Sequence, residues 1–571
     1  MITGSTPGAT TPDSRLSVFL SYAVLLAGIG TGIASAYIII TTYSPLPHWD
    51  EWALFAHLAT AKAWSLSWLW AQHNEHRILV PKIFFLLDVD LFRGTQAFLL
   101  TSIFSIQLLQ TALLSFSLWT LGEMRGSTWR TGTGLIAYCV LCPTQQENLI
   151  WGFQLQFVIP AAMATLAILT LLLYYRKPRA GLLLLSILAA TIATWSLANG
   201  MLLWPLLLLA ALLFGMPRSV LLAITVTAAA NIGLYLYHYH RPGTPAEFPG
   251  LVSAVGGILH YVAIYFGSTF VRHSSGWIAL LAGTIGLCSA LIIIVHIVLQ
   301  RGTTPLLRLQ LSLLMLLCMA TAAITASGRL HLGLEQATAS RYQTFALLFW
   351  CSLGLSMLSY LQRDTTRLNL FSGSLILLML GFATQVRLPL IDAEWRQLRL
   401  ERISLSLLTG VHDPAALADA YPDPQTVLRA AQYMKHNRLS IFAGDLYARL
   451  GQPFSDEYRV MPATDCSGYI SSMQRLPADH GLGLRIAGFV WDKQSNRPAR
   501  NMVAVTNGHI SGYGSSVSIP QDESAATPDA NSARFGWVAY VRDIPHPDKI
   551  ELYAVVGSKT SDACLIAEET P

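Results

Sequence analysis

The chain has 571 residues, 53% of them hydrophobic and 12% charged, about half the charged share of an ordinary soluble protein. So little charge cannot cover the surface of a water-soluble molecule of this length. A net charge of +5 without a long basic run gives no electrostatic footprint for nucleic acid, which leaves a polytopic membrane protein with a soluble part attached.

A helix crosses a bilayer with about 20 mostly apolar residues, because its backbone polar groups must pair internally there. Leu16–Pro47 carries no charge. Its Ala34-Ser35-Ala36 triplet resembles a signal-peptidase site, but apolar residues run on to Ile40, and the segment reads as an uncleaved first span. Further charge-free runs are Thr95–Thr120, Thr131–Gln146, Gln156–Tyr175, Ala180–Pro217, Ser219–Tyr237, Gly276–Gln300, Leu309–Gly328, Tyr342–Gln362 and Leu368–Val386. With Ala180–Pro217 taken as two short helices hinged at Asn199-Gly200, about eleven crossings are predicted. Leu251–Val271 then lies at the interface or re-enters. In a rival count it crosses and Ala180–Pro217 is one helix.

Basic residues in short loops mark the cytoplasmic side. Arg125 with Arg130, Arg176-Lys177-Arg179, Arg218, Arg301 with Arg308, and Arg363 with Arg367 place the N-terminus inside. The chain from Arg387 to Pro571 is then on the outer side of the membrane. Three parts are expected: a transmembrane domain over 1–386 with surface helices in its first outer loop (43–94), an extracytoplasmic helical linker region over 387–480, and an extracytoplasmic β-sandwich over 481–571.

The first outer loop is too apolar to be a floppy connection and too charged to be a span. Trp49, Trp52, Trp64, Trp68 and Trp70 suit helices anchored at the membrane surface. Asp50-Glu51 and His73-Asn74-Glu75-His76-Arg77 bring acids, imidazoles and a guanidinium to the headgroup level, where ionisable groups are paired or used. The second outer loop has one acid, Glu147. A later one carries Arg329, His331, Glu335 and Arg341, of which Arg341 opens a span directly. Early carboxylates and late arginines suggest a division between activating an acceptor and binding phosphate, since guanidinium meets phosphate in a bidentate manner.

Beyond the last span, Leu388–Gln452 has a helical pattern broken at Pro422-Asp423-Pro424 before a second helix around Gln425–His436. From Gly481 the period falls toward two in LRIAGFVWD, MVAVTN, FGWVAYVRD and KIELYAVVG, predicting the β-sandwich. Trp491 and Trp537 belong to its core or stack on sugars. Tyr513, in the Gly-rich SGYGSS stretch, is expected to be exposed and to touch glycan, and Asp522–Ser532 to form a loop. Cys139, Cys142, Cys288, Cys318 and Cys351 lie in apolar stretches. Cys466 and Cys564, alone in the polar tail, suggest a disulfide formed in an oxidising compartment. The chain has no GxxxxGK[ST], HExxH or GxSxG motif, so those routes to ATP use, zinc proteolysis and ester hydrolysis lose their support.

Trp49-Asp50-Glu51-Trp52 just after the first span, the long first outer loop, Glu147 in the second and an external C-terminal domain resemble the GT-C superfamily of integral-membrane glycosyltransferases. The likeness covers approximately residues 1–390 as architecture. The strings AQHNEHRILVPK, ENLIWGFQLQF, SLANGMLLWP and ASRYQTFALLFW also look like those of a group of bacterial multispanning proteins of unassigned activity. The resemblance implies transfer of a sugar from a polyprenyl-phosphate donor to a cell-envelope glycan or lipid acceptor, with Asp50 as base. Glu51 and Glu147 would orient the acceptor. Arg77, Arg341, His73 and His76 would bind the donor phosphate, and Trp49, Trp52 and Tyr513 would touch glycan. Glu51 or Glu147 would alternatively hold a divalent cation, Mg or Mn, with Asp50 and Glu51 as its ligands where one is used, and metal dependence stays open because Asp-Glu stands here where better-known members have a spaced Asp-x-Asp. A transporter or flippase of a lipid-linked glycan would use the same outer groups for binding without chemistry, whereas a non-catalytic envelope scaffold presenting the β-domain would not need the acids of the first outer loop. No two-fold repeat of the kind common in transporters is legible.

Overall fold

The computed structural model describes residues 14–60, 64–240, 251–271, 276–300, 305–518, 535–542, 549–557 and 561–570, with the side chains of 251–254, 384–394, 517, 518 and 535 excepted. The loop expected at Asp522–Ser532 lies outside the described residues.

In chain order, α1 (Arg15–Thr41) leads to α2 (Glu51–Leu58), α3 (Leu66–Trp70), α4 (Leu79–Phe92), α5 (Ala97–Thr120), α6 (Gly126–Val140) and the single turn α7 (Gln146–Ile150). Next are α8 (Leu155–Arg176), α9 (Ala180–Thr194), α10 (Leu203–Leu213), α11 (Arg218–Leu236), α12 (Leu251–Gly267), α13 (Trp277–Leu299), α14 (Leu306–Arg329) and α15 (Gln343–Leu361). The 45-residue α16 (Thr365–Thr409) follows, then α17 (Pro414–Ala420), α18 (Pro424–Asn437), α19 (Asp445–Arg449) and α20 (Phe454–Glu457).

Among the described residues, eight helices are long and apolar enough to cross a membrane: α1, α5, α8, α11, α13, α14, α15 and the first part of α16. Shorter apolar helices cover Ala180–Thr194, Ala198–Leu213 and Val255–Gly267. The run expected to hinge at Asn199-Gly200 breaks a few residues earlier, over 195–197, and Asn199-Gly200 lie in the tight 3-10 turn (Ala198–Leu202) that leads into α10. A Cβ on Gly200 would stand 2.1 Å from the Ala193 carbonyl oxygen, so only glycine lets the chain turn back this closely. Small residues serve the same purpose between α1 and α6, where a Cβ on Gly28 would come within 2.4 Å of the Gly134 oxygen.

The chain folds as two compact units. The first comprises Met1–Thr41, Leu66–Phe84 and Leu99–Leu390, and the second Thr42–Ser65, Phe85–Phe98 and Ile391–Pro571. The first outer loop is therefore shared between them instead of belonging wholly to the membrane domain. The first unit has a continuous apolar core running from Val24 to Met379.

In the second unit, α2 packs on α18, with Trp52 and Phe55 buried on one side and Val427, Ala430 and Met434 on the other. Asp413 and Asp423 cap α17 and α18 by accepting N–H groups of Ala415 and Gln425, which meets donors the helices leave open. Nine strands follow: β1 (Arg459–Met461), β2 (Cys466–Ala478), β3 (Gly481–Asp492), β4 (Arg497–Pro498), β5 (Asn501–Thr506), β6 (His509–Ser518), β7 (Phe535–Val541), β8 (Ile550–Val555) and β9 (Asp562–Glu569). They form a single sheet, ordered β1-β9-β8-β5-β6-β7-β3-β2 with β4 beside β3. The predicted sandwich is thus one sheet, and it starts at Arg459, earlier than Gly481. A disulfide joins Cys466 on β2, the last strand of that order, to Cys564 on β9, the second from its other end, with their Cα atoms 6.2 Å apart. The sheet must therefore roll until its ends meet. Ile486, Val490, Met502, Trp537, Leu552 and Ala554 fill the interior.

Candidate functional site

The first unit gathers charge around a tight turn. His73 and His76 exchange backbone hydrogen bonds of 2.7 and 2.9 Å, with Asn74 in the left-handed region at φ 47°, a conformation asparagine tolerates. Arg77 anchors the turn from below. Its Nε, Nη1 and Nη2 donate to the carbonyls of Tyr235, Trp70 and Tyr237 at 2.8, 2.5 and 2.6 Å, and its guanidinium lies 5.1 Å from the Trp70 ring centre. Arg77 is buried and spends these donors on main chain, so its observed work is to position the turn. Lys82 does the same, donating to the carbonyls of Trp68 and Ala71 at 2.7 and 2.6 Å. Burial, assisted by nearby Arg77, draws its ammonium down to about 8.

Held this way, the turn sends Glu75 to Arg329 at 3.1 Å and sets the His73 ring tilted against Phe153, with ring centres 5.0 Å apart. Burial pushes His76 down to about 4, against the pull of Glu75, so at neutral pH it is an uncharged imidazole that brings no positive charge, and its buried Nδ1 has no hydrogen-bond partner among the described residues. A second pair lies where α7 meets the short turn before α15. Arg341 Nη1 is 3.5 Å from Glu147 Oε1, and the Arg341 backbone N–H donates to Glu147 Oε2 at 3.0 Å. Tyr261 is within electrostatic reach of both Arg329 and Arg341. Beneath them, Asn148 donates to the Arg341 carbonyl and to Thr344, and Thr344 donates to Gln145. These buried amides fix the loop. The side chains of all four ionic groups keep between 29% and 39% of their exposure, and the 3.5 Å separation is long for a charge-assisted hydrogen bond. Such pairs can open to an incoming phosphate. An open cavity of about 560 Å³ adjoins the turn, lined by Trp70, Gln72, Asn74, Arg77, His238 and His240.

Of the residues singled out in the sequence, His73, His76, Arg77, Glu147 and Arg341 belong to this unit, while Trp49, Asp50, Glu51, Trp52, Tyr513 and the bonded Cys466 and Cys564 belong to the other. Arg329 and Glu75 were legible as charges near span ends, but nothing in the sequence paired them.

In the second unit, Asp50 stands half-buried at the start of α2 without capping it. Glu51 is buried, and its Oε2 accepts the His48 N–H at 2.8 Å and the Gln96 amide at 2.9 Å. Burial, with Arg396 and Arg399 nearby, holds His48 well below its usual range. Among the described residues, no three His, Cys, Asp or Glu side chains gather to hold a metal. Two glycan-contact expectations are corrected. Trp52 is fully buried, and Tyr513 is 3% exposed inside β6, so neither can offer a ring face to sugar. Gly512 and Gly514 make no turn. A Cβ on Gly512 would lie 2.0 Å from the Tyr540 oxygen of β7, so the glycine permits close strand approach. Trp49 remains on the surface, 47% exposed.

Sought among protein-family models, curated proteins and solved structures, the chain finds no match in any of the three.

Proposed function

We propose that the protein transfers a sugar from a polyprenyl-phosphate carrier to an envelope glycan or lipid at the extracytoplasmic face of the bacterial inner membrane. The observation that carries this reading is the gathering of Glu75–Arg329 and Glu147–Arg341 in a unit rich in membrane-length helices. Two guanidiniums matched to phosphate oxygens, beside a carboxylate able to take a proton, are what the displacement requires. In the proposed step the acceptor hydroxyl oxygen attacks the anomeric carbon. The bond from that carbon to the phosphate oxygen breaks with its electron pair going to phosphate, and the hydroxyl proton passes to Glu147. Arg329 and Arg341 exchange their carboxylates for the phosphate and stabilise its growing charge. Neutral His76 donates a hydrogen bond, and Arg77 positions the turn. Attack opposite the leaving group inverts the anomeric centre. Asp50 is the second candidate base, and the variants below separate the two.

Topology lends support. Residues 42–65, 85–98 and 391–571 fold as one unit, and a compact unit cannot straddle a bilayer. The chain between Phe98 and Ile391 must therefore cross an even number of times. Seven membrane-length helices lie in that stretch, so an odd number of shorter ones must cross with them. Taking α6, α9 and α10 gives eleven crossings in all and puts the N-terminus and the second unit on opposite sides, and the basic short loops then favour a cytoplasmic N-terminus.

The test is transfer of labelled hexose from a polyprenyl-phosphate donor by the full chain in vesicles. Glu147→Gln is expected to lower kcat by about 10²–10⁴-fold, and Arg341→Lys, which loses the bidentate fork, to raise the donor KM. Asp50→Asn should leave the rate near wild type if Glu147 is the base. No consumption of donor by wild type, with envelope polysaccharide of identical mass in cells with and without the protein, would end the proposal.

A further inference from the structure

The second unit contains a cavity of about 540 Å³ whose wall comes from the ends of many elements. Arg93 follows α4, Lys435 and Arg438 close α18, Tyr447 lies on α19, Asp479 and His480 turn from β2 into β3, and Arg542 follows β7. Asp479 is the one acid among the lining residues, and it is already engaged by Lys435 at 2.8 Å and His412 at 2.9 Å. Arg93, Arg438 and Arg542 have no side-chain hydrogen bond and no ion pair among the described residues. Three guanidiniums directed at one concavity repel each other, and a low-dielectric wall concentrates their field. Folding tolerates this arrangement more easily when a negative ligand occupies the space.

The backbone is strained at the same place. Arg93, Arg438 and Ser440 are all non-glycine residues with positive φ, at 56°, 52° and 54°. The Ser440 N–H donates to the Arg93 carbonyl at 2.7 Å, and its hydroxyl to the Pro45 carbonyl at 2.6 Å. Left-handed residues held by cross-bonds are characteristic of ligand clamps. Tyr447, half-buried and set edge-on against Phe442 with ring centres 5.2 Å apart, supplies an apolar, rigid face on one side of the cationic wall. The volume lies within the range of small-ligand sites, about 300–1,000 Å³.

We infer that this cavity binds a phosphate-bearing saccharide, with Arg93, Arg438 and Arg542 on the phosphate and Tyr447 against the sugar ring. The inference goes beyond the proposed transfer reaction and does not depend on it, since every lining residue belongs to the second unit. Calorimetric titration of the full chain, in discs of neutral phosphatidylcholine, uses glucose 1-phosphate, glucose and inorganic phosphate as probes. Glucose 1-phosphate should bind at least tenfold more tightly than either of the others. Arg438→Gln and Arg542→Gln should each weaken it fivefold or more, and Tyr447→Ala should weaken glucose 1-phosphate while sparing inorganic phosphate. Arg341→Lys, which addresses the proposed donor site, should change nothing here. Variants are compared only at an unchanged thermal midpoint, and Arg93→Gln replaces either arginine variant that fails to fold. Equal affinity for glucose and its phosphate, or wild-type binding by the arginine variants, overturns the inference. Loss of binding in Arg341→Lys overturns the location. Inorganic phosphate bound as tightly as the sugar phosphate overturns the saccharide, and binding confined to vesicles of anionic lipid overturns the soluble ligand in favour of a headgroup.

Discussion

Single residues in this protein are governed by what burial does to charge. Asp88 is 2% exposed. Its Oδ2 accepts the Gln96 N–H at 3.1 Å, while Oδ1 has no hydrogen-bond partner among the described residues. Burial lifts the carboxyl to about 6, although backbone N–H groups of Gln96 and Phe98 pull the other way. Because the folded value lies above the unfolded one, the folded state holds its proton longer. The stabilisation is complete below about pH 4, the unfolded value, and is lost as pH rises through about 6. Asp88→Asn is therefore expected to be near neutral at pH 4 and to stabilise by about 1–3 kcal/mol at pH 7.5. Denaturant unfolding across that range checks it, and a pH-independent difference would contradict the assignment. His76 has the opposite sign: its value is depressed, so its contribution is present above about 6.5 and fades toward pH 4. The variant difference isolates Asp88 from this counter-slope. Charge type was readable in the sequence at both positions. Burial was not, because it depends on Gln96 and Phe98 folding over one residue and on the packing around the other.

At the level of elements, legibility followed the strength of the local pattern. Charge-free runs gave the long spans, since a membrane tolerates no alternative to a helix there. That Ala180–Pro217 divides in two was readable from Asn199-Gly200, although the break falls just before Ala198. The sheet was read late and incompletely, because β2 reads CSGYISSMQRLPA, with too few apolar residues to alternate cleanly. Its burial pattern is mostly exposed or half-exposed. Tyr513 was misread because glycine signals both turns and close approach, and only the neighbouring β7 decides between them. The basic cavity was invisible for a different reason: its arginines come from positions 93, 438 and 542, and no local pattern joins them. The Cys466–Cys564 bond closes the rolled sheet across 98 positions of sequence. Replacing both cysteines by serine should cost the second unit about 2–5 kcal/mol. This would be seen as a lower unfolding midpoint that reductant reproduces in the wild type and leaves unchanged in the variant. A wild-type midpoint indifferent to reductant would show that the sheet closes without the bond.

Across the whole molecule, the informative fact is that one unit is assembled from three separated stretches of chain. Trp49 and Arg475 are both exposed in that unit, and Glu123, 73% exposed, sits between α5 and α6. In a background with Cys288 replaced, Trp49→Cys and Arg475→Cys should react with an impermeant maleimide on spheroplasts, and Glu123→Cys only after lysis. Labelling of Trp49→Cys and Arg475→Cys from opposite sides would refute the proposed sidedness. The same interleaving imposes a schedule on synthesis. α2 leaves the ribosome early, but α18, which covers Trp52 and Phe55, lies beyond Leu390. The intervening chain takes tens of seconds to make at about 5–20 residues per second. During that interval an aromatic surface stands uncovered, so a nascent chain stalled before α18 would be a client for folding helpers and a target for quality-control proteases.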